Sequence, residues 1–161
     1  MTRVKPSVVR VYMDADLLGL ADILCRLRPD FTRPGDPGAE INRRLRPPCP
    51  VISPGAPDEE WLPVVGKNGW LAVTRDRWIQ DKVNELEAVR DNQVRMVNIC
   101  GPDARDKWSQ LEVFMARWRE IEALIDEPGP FIRQVTRRGR LTPIDLSEDA
   151  LRARRSVRKR H

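Results

Sequence analysis

Three groups of acids stand where carboxylates could do chemistry. The apolar run 70–73 ends in Thr74-Arg75-Asp76-Arg77, and the run 8–13 ends in Asp14-Ala15-Asp16. Between them, Pro57 opens the stretch Asp58-Glu59-Glu60-Trp61-Leu62. Two apolar strands that each finish in an aspartate present their carboxylates to one crevice of an α/β sheet. Carboxylates held close together repel, so at least one takes up a proton unless a cation resolves the conflict. Mg²⁺ prefers oxygen ligands and keeps several waters, so a few protein carboxylates suffice to hold it. A water activated there, with the cation stabilising charge on a phosphorane-like transition state, is phosphodiester chemistry.

Composition narrows the choice further. The only histidine, His161, is the last residue. That nearly excludes Ser-His-Asp, Cys-His and histidine-ligated metal chemistry, and leaves carboxylates, Lys/Arg and hydroxyls. Cys25, Cys49 and Cys100 are an odd number with no Cys-x-x-Cys spacing, so neither a disulfide framework nor a zinc site is expected. Cys25 and Cys100 fall in apolar contexts and read as small core residues.

The elements that must position these acids follow from periodicity. Residues 8–13 read as a buried strand, and 17–27 as a helix whose apolar positions recur at three and four and which Pro29 ends. Asp16 is equally placed to cap that helix. Residues 31–57 are punctuated by proline and glycine and read as a short strand near Phe31, then a loop with a basic patch at Arg43-Arg44-Leu45-Arg46. Pro57 and the acids after it mark a helix start, which by itself explains acids at Asp58 and Glu59 through the helix dipole. The helix stops near Gly66 or Gly69. Strands follow at 70–73 and 94–100, with a polar helix over 79–89 between them. Residues 105–125 give the clearest helix: Trp108, Leu111, Met115, Trp118, Ile121 and Ile125 follow a three/four rhythm broken only by Glu122, and the tryptophans read as core anchors. Residues 131–136 and 141–144 resemble two short strands joined by a turn at Arg138-Gly139. No internal repeat is visible. Strand–helix alternation implies an α/β fold with a mainly parallel sheet between helical layers, plus a C-terminal β-hairpin.

At 161 residues the chain fits one domain, and 40% hydrophobic with 33% charged residues fits a soluble protein. No apolar run is long enough for a membrane span, and residues 1–6 lack the apolar core of a signal peptide, so a cytoplasmic location is expected. The net charge of +5 is concentrated: Arg152, Arg154, Arg155, Arg158, Lys159 and Arg160 carry six positive charges with no acid among them. Without them the chain is nearly neutral. Residues 1–145 therefore read as the domain and 146–161 as a basic tail, suited to an acidic partner or nucleic acid, or else a solvated, frayed terminus.

The order strand–Asp14-x-Asp16–helix, then Pro57-Asp58-Glu59-Glu60-Trp61-Leu62, then Gly69 to Arg77, resembles the PIN-like family. More narrowly, with Gly129-Pro130-Phe131 and the residues to Leu141, it resembles a divergent branch of VapC-type toxins. The resemblance covers residues 8–141. It implies a three-layer α/β/α sandwich and a metal-dependent endoribonuclease, the toxin of a toxin–antitoxin pair inhibited by a cognate antitoxin. It leaves a homodimer open. Asp14, Asp58 and Asp76 then take the catalytic and metal-holding positions, with Glu59 the next candidate ligand, for Mg²⁺ or Mn²⁺. Arg75 and Arg77 flank the site and either hold RNA phosphates or are solvated charge. Arg137, Arg138 and Arg140 are open to the same two readings. Two departures stand out: the 33–54 connection is long and proline-rich, and Asp14-Ala15-Asp16 replaces the family's frequent Asp-Glu-Asn, which leaves a fourth ligand open. The competing classes are a catalytically silent PIN-like module that binds RNA or protein, and a DNA-directed structure-specific nuclease on a related fold.

Overall fold

The structure is a computed structural model and describes residues 3–160. His161 lies outside the described residues. In chain order the strands and helices are β1 (Lys5–Pro6), β2 (Val11–Met13), α1 (Leu18–Leu27), β3 (Phe31–Thr32), β4 (Ala39–Ile41), β5 (Arg44–Arg46) and α2 (Asp58–Asn68). Then come β6 (Leu71–Thr74), α3 (Val83–Asp91), β7 (Arg95–Ile99), α4 (Lys107–Ala116), α5 (Trp118–Ala123), β8 (Phe131–Val135), β9 (Thr142–Pro143) and α6 (Glu148–Arg158).

The main sheet runs β3-β2-β6-β7-β8-β9, parallel except for the β8–β9 hairpin. Its central strands β2, β6 and β7 are buried on both faces, as parallel strands covered by helices must be. Successive side chains alternate between two cores. Val11, Met13, Leu71, Val73, Val97 and Ile99 meet α1, α4 and α5 on one side. Tyr12, Ala72, Met96 and Ile132 meet α2, α3 and α6 on the other. The expected three layers with a mainly parallel sheet and a C-terminal hairpin are what the chain forms.

The strand order reverses at β2, with β3 on one side and β6 on the other. Such a switch opens a crevice beyond the carboxyl ends of the strands. The register sets Met13 beside Val73, and Thr74 beside Asn98. Asp14 and Asp76 therefore leave the sheet on the two sides of that crevice.

Four local readings need correction. The 33–57 connection is not all loop: β4 and β5 pair antiparallel, and β1 adds to β5 in parallel. Asn42 and Arg43 between them both take positive φ, 50° and 61°, as a two-residue hairpin turn requires. Buried Arg46 ties this small sheet to the main fold, bonding Asp36 at 2.6 Å and the Cys25 carbonyl at 2.9 Å. The 105–125 helix breaks at Arg117, whose buried guanidinium reaches the Thr136 and Gly139 carbonyls at 2.7 and 2.6 Å. Trp108 is exposed rather than a core anchor, and Met115 of the same apolar rhythm is exposed too, because the inward face of α4 carries Gln110, Val113 and Phe114. The basic tail is not frayed over Glu148–Arg158: α6 buries Leu151, and Arg155 pairs with Glu87 of α3.

Cys25 and Cys49 are buried free thiols, and Cys100 is a half-buried one. No described helix is long and apolar enough to cross a membrane.

Candidate functional site

Asp14 follows β2 directly. Its Oδ1 accepts from the Ala15 N–H at 2.6 Å, and its own N–H bonds the Val73 carbonyl at 2.9 Å, which fixes it against β6. Thr74 closes β6 on the α2/α3 face. Its hydroxyl lies 3.1 Å from Asp14 Oδ2 and 3.0 Å from Asp16 Oδ2. One hydroxyl proton cannot serve two carboxylates at once. Both carboxyls are pushed above the usual carboxylate range. For Asp14 removal from water is the main cause, opposed by the Ala15 and Thr74 hydrogen bonds and reinforced by the charges of Asp58 and Asp76. For Asp16 the rise is to about 7, again from removal from water first and then from Asp14. The rest of Asp16 is open to solvent, but Oδ2 is turned inward and also accepts from the Arg75 N–H at 3.1 Å.

Asp76 is held by its main chain. Its N–H donates to Asn98 Oδ1 at 2.8 Å, and its carbonyl accepts from Asn98 Nδ2 at 2.9 Å. Asn98 is fully buried in β7 and spends its whole amide on this clasp. The Asp76 carboxylate is left to accept from the Trp78 N–H at 2.9 Å and from Lys82 Nζ at 2.5 Å.

Asp58 is the first residue of α2, and its Oδ1 accepts from Trp61 Nε1 at 2.9 Å. Trp61 in turn stacks on Tyr12, with ring centroids 5.4 Å apart, so β2 carries the α2 start. Gly66 lets α2 approach α3 closely: a Cβ there would lie 2.1 Å from the Asn92 carbonyl oxygen. Gly69 ends α2 in the left-handed region at φ 66° and turns the chain into β6.

One acid escapes a reading of the sequence. Glu85 of α3 points into the same crevice, with its side chain 11% exposed. Its carboxyl is pushed up to about 7, chiefly by burial and then by Asp58, with smaller contributions from Asp76 and Asp14 and an opposing one from Lys82. The charges of Asp58 and Asp76 are thus felt at both Asp14 and Glu85, and Asp16 faces Asp14 across the Thr74 hydroxyl. Glu59 is exposed on the first turn of α2, and the charge felt from that helix is that of Asp58. Arg75 and Arg77 leave β6 on either side of Asp76 and line a cavity beside the acids. Thr74 and Asn98 were visible only as polar residues inside apolar strands, and Glu85 as one acid in a polar helix.

Residues 39–101 match the family described as PIN like domain. No curated protein and no solved structure matches. The PIN-like match contains Asp58, Asp76, Glu85 and Asn98, while Asp14 precedes it.

The donor set suits one kind of cation. Every acid in the crevice offers hard oxygen, and their mutual repulsion is what a positive ion relieves. Among the described residues, no group of three or more His, Cys, Asp or Glu side chains is gathered tightly enough to hold an ion directly.

Proposed function

We propose that the chain is a metal-dependent endoribonuclease of the PIN-like kind, the toxin of a toxin–antitoxin pair, which hydrolyses RNA phosphodiesters. The observation that carries this reading is that Asp14, Asp58, Asp76 and Glu85 face one another electrostatically near the switch point of the sheet, where burial first, and then the charges of Asp58 and Asp76, raise the Asp14 carboxyl. Asp14, Asp58 and Asp76 would hold Mg²⁺ or Mn²⁺, and Glu85 supplies the fourth acid that Asp14-Ala15-Asp16 leaves open. Glu59 takes that part only if α2 turns its next residue inward. The bound ion would make an attacking water more acidic and stabilise charge on the phosphate. The chain's own residues do the positioning. Asn98 fixes the Asp76 main chain, Thr74 orients the Asp14 and Asp16 carboxyls, and Lys82 holds the Asp76 carboxylate. Arg75 and Arg77 receive RNA phosphates at the rim.

The toxin role rests on the resemblance of the Asp-Glu-Glu-Trp-Leu and Thr-Arg-Asp motifs to VapC-type proteins. A cytoplasmic location, a cognate antitoxin and a homodimer belong to the same reading. Purified protein with Mg²⁺ or Mn²⁺ should cut structured RNA and stop in EDTA. Comparing single-stranded RNA, structured RNA and flap DNA separates a ribonuclease from a DNA-directed enzyme. Expression of the chain should arrest growth, and coexpression of a cognate antitoxin should relieve that arrest.

One observation favours a second reading, a catalytically silent PIN-like module that binds RNA or protein. Lys82 Nζ already neutralises Asp76 at 2.5 Å, and the acids do not close on one point. RNA binding that is unchanged in EDTA, without cleavage under any metal, would establish it.

A further inference from the structure

Beyond the carboxyl ends of β6 and β7, Arg75, Arg77, Cys100, Gly101, Pro102 and Arg105 line a cavity of about 290 Å³. Three of these residues carry guanidinium groups and none carries a carboxylate. Several other arginines of the fold are paired with acids. Arg46 has Asp36, Arg155 has Glu87, and Arg137 has Glu112. Among the described residues, Arg75, Arg77 and Arg105 form no such pair. Arg75 is the most constrained. Its main-chain N–H is tied to Asp16, while its Nε is shut away from water with no acceptor.

The three cations are held together by the backbone. Arg75 and Arg77 alternate about Asp76, which Asn98 clamps to β7. Gly101, at φ 96°, turns the chain out of β7 toward Arg105. The pocket is therefore a positive cup next to the acidic crevice, with Arg75 half-buried at its wall and Arg77 and Arg105 exposed at its mouth.

Guanidinium groups pair best with planar or tetrahedral oxyanions through several parallel N–H bonds. An internal RNA phosphodiester offers one negative charge and must continue out of the cup in two directions. A terminal phosphate monoester carries between one and two charges near neutral pH and three free oxygens. It also ends there, which suits a cup closed by Cys100, Gly101 and Pro102. We propose that this pocket receives the terminal phosphate monoester of an RNA strand, with Arg105 joining Arg75 and Arg77 as the third cation. It thereby ranks substrates by the chemistry of their ends. The choice of RNA as the carrier of that phosphate rests on the ribonuclease reading.

The test is a binding comparison in EDTA, so that no cleavage intervenes. An internally labelled single-stranded RNA is prepared with a 5′-phosphate, with a 3′-phosphate, or with hydroxyls at both ends. One phosphorylated form should bind about tenfold more tightly than the hydroxyl form, and the arm that does so identifies the end recognised. Inorganic phosphate, added to the unaltered protein at constant ionic strength, should erase the gain. Arg105→Gln should erase it too. Equal affinity for all three RNAs, or a gain that survives in Arg105→Gln, overturns the proposal. Cleavage with Mg²⁺ but no end preference sinks the pocket alone, whereas an end preference without cleavage sinks the nuclease reading alone.

Discussion

Thr74 stands between two carboxyls with one proton to give, and Asn98 spends both ends of its amide on the main chain of Asp76. These two residues do no chemistry themselves, yet they set where the acids sit. Replacing Asn98 with alanine leaves the buried Asp76 N–H unpaired, so a loss of about 1–3 kcal/mol in denaturant unfolding is expected, together with reduced cleavage. A variant as stable and active as the original would show that the clasp is incidental. Glu85 gives a sharper test, because its carboxyl is charged at a cost in the metal-free protein. Glu85→Gln should stabilise the protein on the order of 1–2 kcal/mol in EDTA at alkaline pH. The same variant should weaken the stabilisation that Mg²⁺ provides. Destabilisation in EDTA with an unchanged Mg²⁺ response would remove Glu85 from the set. Asp14, Asp58 and Asp76 were legible in the sequence because each marks the end of a strand or the start of a helix. Glu85 was not, since one acid on a polar helix carries no sign of which way it faces.

The elements were legible where a single periodicity governed them, as in β2, β6 and β7. They were obscured where tertiary partners override local pattern. The β4–β5 hairpin turns on Asn42-Arg43, without the glycine that usually announces such a turn, and its surrounding prolines read as loop. The break at Arg117 follows from a buried guanidinium seeking carbonyls in the β8–β9 connection, which helical spacing cannot foretell. In α6 a run of arginines concealed the signals that make it a packed helix: Ser147 Oγ accepting from the Ala150 N–H at 3.3 Å, and Leu151 buried against α3. The hairpin supplies the prediction at this scale. Arg46 and Asp36 are both about 3% exposed, so Asp36→Ala strands a buried cation. A loss of about 3–5 kcal/mol is expected, read by denaturant unfolding. A loss under about 1 kcal/mol would mean that water replaces the carboxylate and that the insert is not anchored through Arg46.

Across the whole molecule the acidic crevice links stability to pH and to metal. Burial and mutual repulsion raise Glu85 from 4.5 to about 7 and Asp16 from 3.8 to about 7, and they raise Asp14 as well. A raised carboxyl binds its proton more tightly in the folded state than in the unfolded one. Its contribution is therefore full below the ordinary carboxylate range and is lost as pH climbs through about 7. The thermal midpoint in EDTA should fall from about pH 5 to about pH 8, and Mg²⁺ should restore it at the upper end. A midpoint that rises across that window in EDTA would contradict the crowding of these acids. The fold class was legible at this scale because strand–helix alternation admits few architectures, whereas the catalytic claim needs chemistry to decide it. Asp76 decides it most directly: purified protein should cleave structured RNA with Mg²⁺ or Mn²⁺, and Asp76→Asn, folded by circular dichroism, should lose at least about a hundredfold in rate. Full activity in Asp76→Asn, or cleavage that persists in EDTA, would contradict a carboxylate-held metal ion as the source of catalysis.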